Sequence, residues 1–310
     1  MKIQKTKAFS LIELSVIIIV VAVMILAIIK SSEMLSVIRF KFAKNSVTSS
    51  EINSIDGLYL WYETTMDDSI EFVEGQANDE AKISSWKDVS HRSIIKKARS
   101  SNPTEINLNQ ANSALQPIYI KNSINGVPAI RFNSIIGTGD YLYSDSYDVN
   151  TDQFSFFMVI KRNRSGYEVG VLSGVPNSVN YDYESPSSFW MYEPGQAATT
   201  VNFMTRNILG TITNPGIGVP YIVGFVYNGK TARTYLNGEK VDEDAATGNI
   251  VIQKMFIAKR NYTGNPGPSS NGAYQGDIAE IIIYKKALKD NERSDVENYL
   301  SRKFKIKLTK

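Results

Sequence analysis

The longest apolar run in the chain lies close to its start, over residues 9–29. Its 21 residues include one charged side chain, Glu13. A helix of this length, at about 1.5 Å per residue, spans the ~30 Å hydrocarbon core of a membrane. Beyond it, large apolar residues recur at every fourth position, at Met34, Ile38 and Phe42. Because this is the spacing of one helix face, the pattern predicts a single long helix that continues as a stalk to about residue 44.

The pattern changes from residue 55 onward to short apolar runs separated by Gly, Pro, Asn and Asp, which is typical of β-strands and turns. Asn228-Gly229 and Asn237-Gly238 bracket residues 230–236, and Asn-Gly favours the positive φ angles of a two-residue hairpin. They predict a three-stranded meander that starts with residues 221–227. Further strands are predicted at residues 128–132, 154–161, 169–172, 189–192, 201–205, 250–258 and 278–284. Runs of this spacing favour an antiparallel β-sandwich.

Two short segments flank the β region. Ser, Thr and Asn dominate residues 45–54, which are predicted to be a linker. Near the other end, Asp290 is expected to cap a short helix that packs one apolar face on the sandwich. This face consists of Val296, Tyr299, Leu300 and Phe304. The expected organisation is a short basic segment at residues 1–8, a helix and stalk at 9–44, the linker at 45–54, and one β-sandwich domain at 55–310.

Charge orients the chain in the membrane. Lys2, Lys5 and Lys7 precede the apolar run without an acidic residue, and positive charge favours the cytoplasmic side. We therefore expect a single pass through the inner membrane, with the β domain outside the cytoplasm. Removing these three lysines from the 34 basic residues leaves 31, which equals the 31 acidic residues. Such a neutral chain disfavours nucleic-acid binding.

The segment Phe9-Ser10-Leu11-Ile12-Glu13-Leu14, after its short basic leader, resembles the class III signal of type IV pilins and of type II secretion pseudopilins. The resemblance implies that a prepilin peptidase cuts between Ala8 and Phe9 and methylates the new amine. It also implies that Glu13 pairs with the terminal amine of a neighbouring subunit during assembly. A carboxylate in hydrocarbon is costly unless it is paired. The alternative is a plain signal anchor in which Glu13 lies near the membrane interface and reaches water.

Three blocks of the β region occur in a recognisable order: Gly57-Leu58-Tyr59-Leu60-Trp61, Asn125-Gly126-Val127-Pro128-Ala129-Ile130-Arg131-Phe132, and Gly276-Asp277-Ile278-Ala279-Glu280-Ile281-Ile282-Ile283-Tyr284. With further blocks between residues 56 and 306, they resemble a laminin-G-like, concanavalin A-like domain. The resemblance implies a mainly β fold, an antiparallel jelly-roll sandwich, on the long N-terminal helix and closed by the short C-terminal helix.

Some proteins with this fold are glycoside hydrolases, which need two carboxylates that converge on one cleft. Asp277 and Glu280 are three residues apart in a predicted strand, so they are expected on opposite faces. An acidic run follows the second Asn-Gly turn and is predicted to be a solvated hairpin end: Glu239, Asp242, Glu243 and Asp244. No catalytic residue is predicted, and the protein is not expected to be an enzyme.

Two other kinds of site are weakly indicated. The single histidine, His91, has Asp88, Ser90 and Ser93 nearby, which favours a surface turn over a catalytic triad. The chain has no cysteine, so disulfides and thiolate metal sites are excluded. Calcium has possible oxygen ligands in Asp140, Asp145, Asp148 and Asp182. Their spacing is not that of a dedicated calcium loop, and turn-forming aspartates explain them equally well.

Two loops are rich in aromatic residues or in Gly, Pro and Asn. The first, residues 180–192, contains the candidate ligand-binding residues Tyr181, Tyr183, Trp190 and Tyr192; the second is residues 261–274. Aromatic rings stack on sugars and anchor protein contacts, although for Trp190 and Tyr192 a place in the sandwich core is the favoured interpretation. The function predicted is a minor pilin-like or pseudopilin-like subunit that binds a glycan or surface protein. The alternative is a membrane-anchored carbohydrate-binding protein or glycan hydrolase that forms no filament.

Overall fold

The structure is a computed structural model that describes residues 11–91, 106–135, 138–164, 169–194, 200–204, 208–261 and 274–309. The predictions for Ala8, Phe9 and Ser93, and most of the second candidate loop, lie outside these residues. Helix α1 spans Leu11–Thr48 and helix α2 spans Asp290–Phe304, with 3-10 turns at Ile52–Ser54 and Ser113–Leu115.

The strands of the described residues follow one another between the two helices. They are β1 Leu58–Tyr62, β2 Ile70–Phe72, β3 Ile83–Trp86, β4 Leu108–Asn109, β5 Ile118–Ile124, β6 Val127–Phe132, β7 Ser134–Ile135, β8 Thr138–Gly139, β9 Leu142–Ser144, β10 Val149–Thr151, β11 Phe154–Arg162, β12 Val169–Val175, β13 Phe189–Glu193, β14 Thr200–Met204, β15 Ile208–Thr213, β16 Pro220–Tyr227, β17 Thr231–Leu236, β18 Glu239–Ala245, β19 Ile250–Ile252, β20 Lys254–Ile257 and β21 Gly276–Tyr284.

Two large antiparallel sheets pack face to face. The first has the strand order β18-β17-β16-β11-β21-β6-β5, with β1 added beside β21, and the second has the order β15-β14-β13-β12-β20-β9-β4-β3-β2. Alternate residues of β11, such as Phe154, Phe156 and Met158, enter the core between the sheets, whereas Phe157 and Val159 face the other way. The predicted antiparallel sandwich of concanavalin A-like type, with its long N-terminal and short C-terminal helices, is confirmed.

A second core covers the outer face of the eight-stranded sheet. The last turns of α1 place Ala43 and Val47 there. The predicted apolar face of α2 is confirmed, because its four members are buried in the same core: Val296, Tyr299, Leu300 and Phe304. Arg39 of α1 packs so closely on Gly126 that a Cβ there would lie 2.4 Å from its Cδ. The end of the long helix is therefore part of the folded domain.

Several local predictions differ from the structure. Helix α1 ends at Thr48, four residues beyond the expected position, because Val47 still gains burial against the sandwich. Residue Lys289, not Asp290, occupies the N-cap of α2, where its backbone N–H donates to Glu292 Oε2 at 2.9 Å. The predicted strand at residues 250–258 divides into β19, which pairs with β10, and β20, which pairs with β9 and β12.

The predicted meander of β16, β17 and β18 is confirmed, but its two turns differ. Asn237 and Gly238 have φ angles of 48° and 86°, as a two-residue turn of this type requires. At the other turn only Gly229 has a positive φ, and the Asn228 Oδ1 atom accepts hydrogen bonds from the Lys230 and Thr231 N–H groups. The side-chain hydrogen bonds of Asn228 thus replace the tight turn by a longer one.

The first part of α1 is not buried against the described part of the domain. Its large apolar side chains between residues 11 and 28 are exposed on every face, with exposed fractions from 45% to 86%. Among the described residues, α1 is the one helix that is both long enough and apolar enough to cross a membrane. The helix fits a membrane anchor or a signal sequence.

Candidate functional site

The outer face of the nine-stranded sheet carries a row of aromatic side chains. In the register of the sheet, Tyr143 of β9 lies opposite Phe256 of β20, and Phe256 lies opposite Ser173 of β12. Ser173 in turn lies opposite Trp190 of β13, so it separates the aromatic residues at the two ends of the row. Their strand neighbours, such as Leu172 and Met191, belong to the core between the sheets, so the row points outward. Three strand spacings make the row about 14 Å long.

Trp190 and Tyr192 form a stacked pair at one end of this row. Their ring centroids are 4.7 Å apart, and the Arg260 guanidinium lies 4.4 Å from the Trp190 centroid. Trp190 retains only 4% of its exposed surface. Trp190 is buried but lies outside the core between the sheets, and Arg260 covers its ring. Its role in ligand binding stays a prediction.

An ion pair holds Arg260 over the sheet. Arg260 donates from Nε to Asp182 Oδ2 at 2.9 Å and from Nη2 to Asp182 Oδ1 at 2.7 Å. Asp182 belongs to the loop between β12 and β13, and its backbone N–H donates to the carbonyl oxygen of Asn261. Burial raises the pKa of Asp182, and the hydrogen bonds from Arg260 offset this only in part. The pair fastens the first candidate loop to the sheet.

Tyr181 and Tyr183 flank Asp182 in this loop. Their rings stack with centroids 5.3 Å apart and an angle of 19° between the planes. Tyr183 is 47% exposed and Tyr181 is half-buried. The Glu184 carboxylate accepts hydrogen bonds from the backbone N–H groups of Asn180 and Tyr181, which holds the turn. The structure therefore brings the four predicted residues into one region, as two stacked pairs joined by Asp182 and Arg260.

The backbone after β20 is bent to deliver Arg260. Ala258 has a φ angle of 65°, an unusual value for a residue with a Cβ. A Cβ at Gly170 would lie 2.7 Å from the Arg260 backbone nitrogen. Neither feature could be recognised from the sequence, because it depends on how closely β12 and the chain after β20 approach each other.

A second aromatic group lies at the other end of the row. Phe256 packs against Tyr143 with a centroid distance of 4.7 Å and against Tyr141 with 6.3 Å. The Lys259 ammonium lies 4.3 Å from the Tyr141 centroid. The three rings and Lys259 are all partly exposed. Sequence reasoning missed this group because its members come from different strands.

Asp277 and Glu280 lie on the same face of β21, which corrects the prediction of opposite faces. Val159 pairs with Glu280, and the next residue, Ile160, pairs with Ile278. Ala279 is therefore an extra residue, a β-bulge, and a bulge reverses the alternation of side chains. Both carboxylates point away from the sandwich core. Asp277 is bound there by Arg131 at 2.7 Å and Lys161 at 2.8 Å.

Glu280 belongs to a fully buried charge cluster beneath α2. Lys303 Nζ lies 2.7 Å from Glu280 and 3.0 Å from Glu63, and all three side chains have no exposed surface. Trp61 Nε1 and the Tyr299 hydroxyl donate to Glu280. Burial raises the pKa of Glu280, with Lys303 opposing. Burial also tends to raise the pKa of Glu63. There, however, the charge of Lys303 and the hydrogen bonds from Thr65 outweigh the effect of burial, so that the pKa of Glu63 is lowered. The cluster joins β1, β21 and α2.

One more buried pair lies between the sheets, under Trp190 and Tyr192. Glu193 of β13 faces Arg162 of β11, with 3.4 Å between Oε2 and Nε, and both are buried. Burial raises the pKa of Glu193 to about 7, although Arg162 opposes the shift. This pair links the two sheets through the core.

The other acidic candidates are separated. Asp140 accepts from the Asn133 N–H, and burial raises its pKa to about 6. Asp148 accepts from the Tyr59 hydroxyl, whereas Asp145 is exposed beside Tyr143. No group of three His, Cys, Asp or Glu side chains converges in the described ranges. Calcium binding by these aspartates stays a prediction.

The acidic run at residues 239–244 forms β18, an exposed edge strand, and is not a hairpin end. Glu243 pairs with Arg233 and Lys240, and Asp242 accepts from the Thr211 N–H. Carboxylates on an edge strand discourage pairing with another chain. His91 is exposed, and its backbone N–H donates to Asn53 Oδ1 at 3.0 Å.

Comparison with known proteins supports this fold. The family described as the concanavalin A-like lectin/glucanases superfamily matches residues 136–292, just over half of the chain. No curated protein sequence matches the chain.

Three solved structures illustrate the range of similar proteins. A botulinum neurotoxin type C structure, reported with the dependence of cell entry on two ganglioside molecules, has a TM-score of 0.50 at 14% identity, over 81% of this chain and 52% of that one. The binding domain of Paraclostridial Mosquitocidal Protein 1 has a TM-score of 0.50 at 15% identity, over 79% and 52%. Domain 4 of AbnA, a GH43 arabinanase from Geobacillus stearothermophilus, in complex with arabinotriose, has a TM-score of 0.43 at 14% identity, over 61% and 83%. These identities establish the fold alone, and the chain spans about half of the first two structures.

Proposed function

Because the chain belongs to the concanavalin A-like lectin/glucanases superfamily, we propose that it is a glycan-binding protein displayed on a filament as a minor pilin-like or pseudopilin-like subunit. The observation that carries the binding function is the pair of stacked tyrosines, Tyr181 and Tyr183, in the loop between β12 and β13. The ion pair of Asp182 and Arg260 holds this pair in place. A rigid, exposed aromatic surface stacks on sugar rings with little loss of rotamer entropy.

Assembly rests on the two halves of α1. Ala43 and Val47 fasten the helix to the domain, whereas the apolar side chains up to residue 28 remain exposed. Such a helix is suited first to the inner membrane and then to the core of a filament made of many copies. The partners proposed are therefore prepilin peptidase, which cuts before Phe9, and the helices of other subunits. Many displayed copies convert weak single contacts into firm attachment.

The assembly proposal is tested at Glu13. Glu13→Leu is expected to preserve membrane insertion and to reduce incorporation into filaments, because it removes the carboxylate that pairs with a neighbouring amine. Glu33→Leu is the matched control, since Glu33 lies on the same helix and is exposed. Sheared filaments are quantified by immunoblotting, and mass spectrometry of the extracted chain reports whether it begins at methylated Phe9. Unchanged incorporation of Glu13→Leu, or an intact Met1 terminus beside an active peptidase, favours the plain membrane anchor.

We propose binding and not hydrolysis as the activity of the domain. The two carboxylates that share Lys303 are fully buried beneath α2, so a glycosidic bond has no access to them. The test incubates the full chain in detergent with neutral and acidic oligosaccharides, with and without a calcium chelator. We expect retention on a glycan array without release of reducing ends, and no effect of the chelator. Release of reducing ends that survives purification contradicts this proposal and favours a membrane-tethered hydrolase.

A further inference from the structure

A positively charged aromatic platform lies on the outer sheet face, beside the predicted ligand-binding residues. We define it by Tyr141, Tyr143, Phe256 and Lys259. The three rings are in contact, with Phe256 between the two tyrosines. Their exposure differs from that of Trp190, which Arg260 covers. The platform is therefore a part of the aromatic row that a ligand can reach.

Lys259 of the platform and Lys254, at the other end of β20, lack acidic partners in the described part of the chain. Lys259 contacts the face of Tyr141, and Lys254 Nζ donates to the carbonyl oxygen of Val179 at 2.9 Å. Both are partly exposed and form no ion pair there. Arg260, in contrast, has its charge balanced by Asp182. Two ammonium groups without an acidic partner among the described residues thus lie at opposite ends of β20, and one of them, that of Lys259, belongs to the platform.

One acidic residue, Asp145, lies at the rim of the platform, where it interacts with Tyr143 and is exposed. One exposed carboxylate is well screened by water and salt. Because Lys254 and Lys259 stand against this one carboxylate, the balance of charge around the rings is positive. A ring that is stacked on Phe256 and Tyr143 would present its substituents to Lys259.

We propose that this platform binds an acidic saccharide, with the sugar ring on Phe256 and Tyr143 and its carboxylate or sulfate group at Lys259. Charge-assisted hydrogen bonds to an anion are stronger than those to neutral groups, and stacking supplies the uncharged part of the affinity. The inference rests on the proposed glycan-binding function and specifies the ligand class. Lys259 is the residue that distinguishes an acidic sugar from a neutral one.

The test uses trigalacturonic acid and its fully methyl-esterified form, which has the same rings without the charge. The full chain in detergent is titrated with each by isothermal calorimetry at low and high salt. We expect the acid to bind roughly five- to tenfold more tightly than the ester at low salt, and high salt to reduce this ratio. Lys259→Met is expected to bring the ratio to about one while leaving the affinity for the ester unchanged.

Lys285→Met is the matched control. Lys285 also lies over a tyrosine, 5.0 Å from the Tyr59 centroid, but it has Asp148 as a partner and lies outside the platform. It is expected to keep the preference for the acid. Equal binding of acid and ester by the native chain, or an unchanged ratio in Lys259→Met, overturns this inference and leaves the proposed glycan binding intact. Failure of the folded chain to bind either probe or any glycan on an array contradicts both.

Discussion

The outer faces of the two sheets differ in what covers them. On the eight-stranded sheet, α1 and α2 cover the central part of the face, and Lys303 lies there between two carboxylates with no exposed surface. On the nine-stranded sheet, Lys259 lies over an aromatic ring, partly exposed. A buried charge must be paired inside the protein, because desolvation is costly. An accessible one can instead be satisfied by a ligand, so the first lysine is structural and the second is a candidate for recognition.

The largest expected effect is on the covered face. Lys303→Met leaves Glu63 and Glu280 buried without their cation, so we expect the free energy of unfolding to fall by about 3 to 5 kcal/mol. Denaturant titration of the full chain in detergent measures it. Lys307→Met, at an exposed position of the same segment, is expected to have little effect. A loss below about 1 kcal/mol in Lys303→Met would mean that the cluster is not needed for stability.

The buried Glu193, between the two sheets, predicts a pH dependence of stability. The pKa of Glu193 is raised to about 7, so the native state holds a proton that the unfolded chain has released. The contribution of Glu193 to stability is therefore full below the unfolded pKa near 4.5 and falls as pH rises to about 7, by about 3 kcal/mol. The stability of the native chain minus that of Glu193→Gln, measured by thermal unfolding across this range, should decline. A flat or rising difference contradicts the prediction.

Trp190 tests the covered end of the aromatic row on the nine-stranded sheet. Because Trp190 is covered by Arg260 and stacked on Tyr192, we expect Trp190→Ala to lower the free energy of unfolding by about 2 to 3 kcal/mol. Any effect of Trp190→Ala on glycan binding should be indirect and should come from displacement of the loop that carries Tyr181 and Tyr183. Trp190→Phe retains a ring and should recover about half of the stability. Full stability in Trp190→Ala, combined with lost binding, would instead identify Trp190 as a direct ligand contact.

Tyr183 should give the smallest change in stability. It is 47% exposed, so Tyr183→Ala is expected to alter the free energy of unfolding by less than about 0.5 kcal/mol. If the stacked pair holds a sugar ring, glycan affinity falls by roughly five- to thirtyfold, as expected for one lost aromatic contact of ~1 to 2 kcal/mol. Val241→Ala, which truncates another exposed apolar side chain on the distant edge strand β18, is the matched control. Equal affinity of Tyr183→Ala and the native chain argues against this pair as the binding surface.

The sequence and the structure agree for most of the elements whose deciding interactions are local, although the Asn228-Gly229 turn and the cap of α2 are exceptions. The sandwich strands, the Asn237-Gly238 turn and the apolar face of α2 follow from periodicity and turn chemistry, and all three are confirmed. The candidate site was anticipated only in part. Tyr181 and Tyr183 were identified by composition, but the platform around Phe256 was missed because its rings are far apart in the sequence. The roles of Ala8, Phe9 and Glu13 stay predictions.

By itself, the sequence determined one long apolar helix, an antiparallel sandwich and a short closing helix, since hydrophobic spacing and turn residues act over a few positions. The tertiary structure alone decided which face each polar side chain occupies. The bulge at Ala279 moved Glu280 to the face of Asp277, and the approach of the chain to Gly170 placed Arg260 over Trp190. Both depend on the register and packing of segments that are distant in sequence, and no local pattern of residues encodes them.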